Sequence, residues 1–144
     1  MGEGIRCWAF GEVKMTMEVF EFERLRVYQK ALDFIDKVYE ITRKFPAEEK
    51  FGLVDQLRRA SVSIALNTAE GTGGTKIEFK RYIKIARRSV RECVAVTEIS
   101  FRQQYIDAET KGTLRADCVA MSKMLSGLLK SLSPNAEHPT PNVF

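Results

Sequence analysis

The stretch over 58–91, RRASVSIALNTAEGTGGTKIEFKRYIKIARRSVR, constrains the fold of this chain more than any other. It reads as the end of one helix, a glycine turn, and the strongly basic start of a second helix. Before the turn, Leu53, Leu57, Ala60, Ile64 and Asn67 recur at helical spacing. After it, Phe79, Tyr82, Ile83, Ala86, Val90, Cys93, Val94, Thr97 and Phe101 do the same. Such periodicity marks helices with one buried face. The turn itself is Gly71-Thr72-Gly73-Gly74. Glycine adopts positive φ without steric cost, so Gly71 is expected at the C′ position of a helix ending near Glu70. Thr75 fits an N-cap, and Glu78 completes a capping box.

Three further segments follow the same logic. A first helix is expected over 22–44, with Leu25, Tyr28, Leu32, Ile35, Val38, Tyr39 and Thr42 turned inward. Pro46 stops it, because the residue before a proline is pushed out of the helical region. Phe45 is expected to pack at that turn. The second helix is expected over 47–70, with Glu48 and Glu49 complementing its positive N-terminus and Gly52 as an imperfection. Its later half, Ala60-Ser61-Val62-Ser63-Ile64-Ala65, is built of small residues that admit close approach of another helix, within or between subunits. Beside it Gln56, Ser63, Asn67 and Glu70 form a polar line that needs partners, read as a structural hydrogen-bond row. The third helix is expected over 75–105. Asp107 caps a fourth that runs to 132, with Leu114, Cys118, Met121, Leu125, Leu128 and Leu132 as its seam.

The expected fold is therefore all-α, an antiparallel up-down-up-down four-helix bundle over 21–132. Residues 1–20 are an N-terminal extension weakened by glycine, with a Trp8-Ala9-Phe10 cluster of no assigned role. Residues 133–144 are a proline-rich, loose tail. A chain of 144 residues can bury a sizeable core in one domain. The first twenty residues lack the apolar core of a signal peptide, and no apolar run is long enough to span a bilayer. Cys7, Cys93 and Cys118 are odd in number and far apart, which disfavours a disulfide framework or zinc site and suits a reducing cytoplasm.

Charge is concentrated. The chain carries a net +4. Between Thr75 and Gln104 lie eight basic and three acidic residues, so this segment holds +5 and the remainder −1. Lys80, Lys84, Arg87, Arg88 and Arg91 share one stripe of the third helix, away from Ile83, Ala86, Val90 and Val94. A row of cations of this kind can follow a phosphate backbone, and Arg58 and Arg59 are candidates to extend it. The plain alternative is a solvated helix face.

Catalytic chemistry finds little support. The sole histidine, His138, sits in the tail. No P-loop or dinucleotide-binding glycine pattern is present. Glu70, Glu92 and Glu98 could meet across the second and third helices, but they lack the Glu-x-x-His motifs of di-metal bundles. Ser61 and Ser63 have no adjacent base. No catalytic residue, metal or cofactor is assigned.

The centre of the chain is QLRRA at 56–60, Ser63-Ile64, Asn67, Ala69-Glu70-Gly71, then Glu78, Phe79, Arg81, Tyr82, Ile85, Ala86, Ser89 and Glu92. With FERLRVYQKALDF upstream, this run resembles the four-helix-bundle proteins encoded by intervening sequences in 23S ribosomal RNA genes. It is also similar to the accessory variability proteins of diversity-generating retroelements. The resemblance covers residues 20–132. Thr68 departs from it, standing where an aliphatic residue is usual. Gly73-Gly74 also departs, standing where a glycine and a basic residue are common. The resemblance implies a bacterial, cytoplasmic, homo-oligomeric ring of five chains associated with RNA or another nucleic acid. Its retroelement branch adds a reverse transcriptase as a partner. It transfers no catalytic residue. The expected function is a non-enzymatic oligomeric bundle that binds nucleic acid through its third helix. The rival is a ring that acts as a scaffold through protein contacts alone.

Overall fold

The structure is a computed structural model that describes residues 18–133. Among them are four α-helices and no strand: α1 (Arg26–Thr42), α2 (Leu53–Thr72), α3 (Lys76–Arg102) and α4 (Ala108–Ser131). Short 3-10 turns at Glu21–Arg24 and Ala47–Glu49 precede α1 and α2. Most of the 1–20 extension and of the tail, including Trp8 and His138, lies outside the described residues.

Contacts between α2 and α3 run in opposite sequence directions. Along α2 and α3, Gln56 meets Glu92, Ser63 meets Ser89, and Gly71 meets Phe79. Along α3 and α4, Glu98 pairs with Lys111 at 2.9 Å. α1 packs on α2 and α4, α3 packs on α2 and α4, and α1 and α3 lie diagonally across the bundle. The core is one cluster fed by all four helices, with Phe34, Leu57, Ile64, Ile83, Leu114 and Met121 fully enclosed.

The caps and turns show how the sequence sets the boundaries. Thr75 and Glu78 close the expected capping box, at 3.2 and 3.1 Å. Asp107 caps α4 through Thr110 N at 2.7 Å. Phe45 is buried against the ring of Tyr105. α2 begins later than expected because Gly52 leaves helical geometry, at φ −107° and ψ −114°. The Glu49 carboxylate then accepts a hydrogen bond from Leu53 N and another from the Tyr105 hydroxyl, tying the start of α2 to the far turn.

α3 ends on Gln104, whose φ of 64° is left-handed. Gln104 N bonds Phe101 O and Tyr105 N bonds Ser100 O, the paired bonds of a Schellman motif.

Two further expectations are corrected. Gly71 is not a C′ residue. It lies inside α2, which runs on to Thr72, and it is buried. A Cβ there would lie 2.5 Å from Phe79 Cδ2, so Gly71 serves close approach of α3, not positive φ.

The buried seam of α1 is Val27, Ala31, Phe34, Val38 and Thr42, while Leu32 is 42 % exposed. α1 carries two apolar stripes about one residue apart. The slimmer one admits α2 and α4, and the one bearing Tyr28 and Tyr39 stays at the rim.

Of the two uses expected for the small-residue patch of α2, the structure shows close approach within the subunit: Ala60, Ser61, Ile64 and Ala65 are buried in this chain's own core.

Candidate nucleic-acid interface

α3 presents its cations because its other faces are occupied. Ile83, Ala86, Val90, Cys93 and Val96 enter the core, and Ser89 turns to α2. Residues three, four and seven positions apart share a face, so the remaining stripe emerges as one ridge. Lys84, Arg88 and Arg91 are exposed, and Lys80 and Arg87 are half-buried at its edge. Among the described residues none of these five makes an ion pair or hydrogen bond. Some cations elsewhere are engaged: Lys30 and Lys37 with Asp117, and Arg102 and Lys111 with Glu98. The charge of the ridge is not neutralised by any ion pair among the described residues.

Arg58 and Arg59 stand apart from it. The Arg58 guanidinium lies 4.4 Å from the centre of the Tyr39 ring and donates to Thr42 Oγ1 at 2.9 Å, which commits it to α1. Arg59 pairs with Asp55 one turn earlier on α2, at 3.0 Å. Neither is joined to the α3 row by any hydrogen bond or ion pair among the described residues.

Sequence reasoning missed the contribution of α4. Lys111 faces α3 through Glu98 and the Phe101 ring. Arg115, one turn further, continues that flank. Arg115 and Lys123 line one shallow depression with Gly112, Ala116 and Val119. Lys130 follows Lys123 by two turns. The sole carboxylate of α4 beyond Glu109 is Asp117, and it faces α1 between Lys30 and Lys37, at 3.2 and 2.8 Å. The α3–α4 side is thus basic without neutralisation along most of its length, whereas α1 exposes Asp33, Asp36 and Glu40 on the diagonal side. Charge balance along α4 held the signal. It was diluted by Asp117, whose inward turn only the fold reveals.

The polar line of α2 is largely a hydrogen-bond row. Ser63 Oγ and Ser89 Oγ are 2.8 Å apart, and Asn67 Nδ2 donates to Ser63 O and Oγ. Gln56 donates to Glu92, at 3.4 Å, and Glu70 is exposed. The three glutamates considered for metal chemistry have separate surroundings: Glu92 holds Gln56, Glu98 holds Lys111 and Arg102, and Glu70 faces solvent. Thr68, the departure from the aliphatic pattern, is buried at no polar cost because its hydroxyl donates to Ile64 O at 2.7 Å. Burial lifts both core thiols, pushing Cys118 up to about 12 and Cys93 higher still, so neither is a nucleophile near neutrality.

Fold and surface together define an all-α bundle whose described residues carry one uncompensated basic side. The chain belongs to the 23S rRNA-intervening sequence protein family, which it matches over residues 23–127. It is also similar to a crystal structure from the S23 ribosomal protein family of Bacteroides thetaiotaomicron, a protein of unknown function. The TM-score is 0.69 at 23 % identity, covering 77 % of this chain and 99 % of the other. No curated protein matches the sequence.

Proposed function

We propose that this protein is a non-enzymatic, cytoplasmic nucleic-acid-associated bundle that holds RNA through Lys80, Lys84, Arg87, Arg88 and Arg91. The observation that carries this reading is the uncompensated ridge. Five cations share one face of α3 with no anionic partner among the described residues, whereas Lys30, Lys37, Arg59, Arg102 and Lys111 are each paired with a carboxylate. Membership of a family tied by description to 23S rRNA agrees with it. Among the described residues no three metal-ligating side chains cluster together, and no helix is long and apolar enough to cross a membrane.

The chain associates with copies of itself in this reading, five to a ring as the family resemblance implies. The small residues of α2 no longer support that association, since they are spent inside the subunit. Support comes instead from a strip on α1 and α2 that mixes apolar and charged side chains. Leu32 and Leu66 are 42 % and 58 % exposed, and Leu66, Val62 and Tyr39 line one depression together with Asp55, Arg58, Arg59, Ser63, Asn67 and Glu70. The strip is separate from the basic ridge, so assembly would leave the ridge free and repeat it on every subunit, multiplying weak contacts.

Titration of a fluorescent RNA with the protein at low salt tests the function, and light scattering tests the assembly. Saturable RNA binding by an oligomer is expected. Absence of binding even at low salt would favour a scaffold acting through protein contacts, and a monomer mass would remove the ring.

A further inference from the structure

We infer that the α3–α4 side is built for double-stranded nucleic acid, with Arg115, Lys123 and Lys130 of α4 as a second row beside the ridge of α3. The inference rests on the nucleic-acid reading above and names the class of ligand.

Two observations carry it. The first is that the basic side has two rails. α3 and α4 pack directly, and packed helix axes lie about 8–10 Å apart. The register set by Glu98–Lys111 brings the stretch from Lys123 to Lys130 alongside the stretch from Arg87 to Lys80. One rail can follow one strand; two rails side by side suit the paired backbones that border a groove.

The second is what the side lacks. Proteins that hold single strands stack bases on aromatic rings, at about 1–3 kcal/mol per base. The aromatic rings of this half of α3 are both half-buried: Phe79 packs against Gly71 of α2, and the Tyr82 ring lies 5.6 Å from the Arg81 guanidinium, so neither offers a fully exposed face for a base. The exposed apolar side chains beside the cations are the aliphatic Ile77 and Val119. No exposed asparagine or glutamine stands among the cations between Lys76 and Arg91 to read a base edge. A surface that offers only cations discriminates by linear charge density, and a duplex carries about twice that of a single strand. Duplex is therefore the favoured ligand, read through its backbone without regard to sequence.

The test uses the full chain and three fluorescent probes of one sequence: an RNA duplex of about twenty base pairs, the matching DNA duplex, and one RNA strand. Affinities are measured across a salt series for wild type and for the combined variant Arg115→Gln/Lys123→Gln/Lys130→Gln, after light scattering and circular dichroism confirm equal assembly and helicity. The RNA duplex is expected to bind about tenfold tighter than the strand and within a few-fold of the DNA duplex. The variant is expected to flatten the duplex salt slope by roughly 0.9 for each phosphate that it no longer neutralises. A strand bound as tightly as the duplex, a DNA duplex bound tenfold more weakly than the RNA duplex, or an unchanged slope in the variant would each overturn the inference. The nucleic-acid reading would survive any of these. Binding to none of the probes would remove that reading as well.

Discussion

Gly71 and Phe79 are in direct contact: a Cβ on Gly71 would stand 2.5 Å from Phe79 Cδ2 and 3.1 Å from Tyr82 Cβ. The glycine lets α3 fold back onto α2 immediately after the turn, which brings the cation row out on the far side. In an open helix, Gly→Ala stabilises by about 1 kcal/mol. Here the sign reverses, and Gly71→Ala is expected to destabilise by about 1–3 kcal/mol through overpacking. Gly112 supplies the control, because nothing lies within 4 Å of a Cβ built there. Gly112→Ala should stabilise by up to about 1 kcal/mol. Urea unfolding of both variants checks the pair, and equal signs would contradict the packing account.

Asp117 clamps α1 to α4. Its burial alone would raise its pKa, but the hydrogen bonds and charges of Lys37 and Lys30 outweigh that and hold it below the usual carboxylate value. Because the folded pKa lies below the unfolded one, the stabilisation is present above about pH 4 and is lost as pH falls through the folded pKa. Asp117→Asn should cost about 1–2 kcal/mol at pH 7, and the difference from wild type should narrow as pH falls below about 4 towards the folded pKa. Denaturant midpoints across a descending pH series measure this. A constant difference across the range would contradict it.

Thr97 is 2 % exposed, and its hydroxyl has no hydrogen-bond partner among the described residues. Removing an unsatisfied buried hydroxyl relieves a desolvation cost of about 1 kcal/mol or more. Thr97→Val should therefore raise the thermal midpoint by a few degrees. A lowered midpoint would show that the hydroxyl is satisfied in solution.

How much was legible depended on whether a signal was local. Thr75 with Glu78 and Asp107 with Thr110 are short-range pairs, and the sequence marks both helix starts directly. The seam of α4 was plain as far as Leu128, through Leu114, Cys118, Met121 and Leu125, whereas Leu132, expected to continue it, stands just past the end of the helix and is half-buried. In α1 two apolar stripes compete. Spacing could not choose between the stripe of Val27 and Phe34 and that of Leu25 and Leu32, since the choice depends on how closely α2 and α4 approach. The left-handed Gln104 was hidden for another reason: glutamine carries no turn preference, and the conformation is imposed by the Schellman bonds of the α3 terminus. The ridge on α3 was visible as a charge imbalance. Its continuation on α4 was not, because the inward turn of Asp117 is a tertiary fact.

The salt dependence of RNA affinity tests the central claim most directly, using wild type and the variant Lys84→Gln/Arg87→Gln/Arg91→Gln. These side chains are exposed or half-buried and unpaired among the described residues, so the variant should keep its helicity, its assembly and, within about 0.5 kcal/mol per site, its stability. Wild-type affinity should fall steeply with salt, by roughly 0.7–0.9 log units per log unit of salt for each phosphate neutralised, and the variant should bind more weakly with a flatter slope. Equal affinities and equal slopes would contradict the assignment of this face as the nucleic-acid surface.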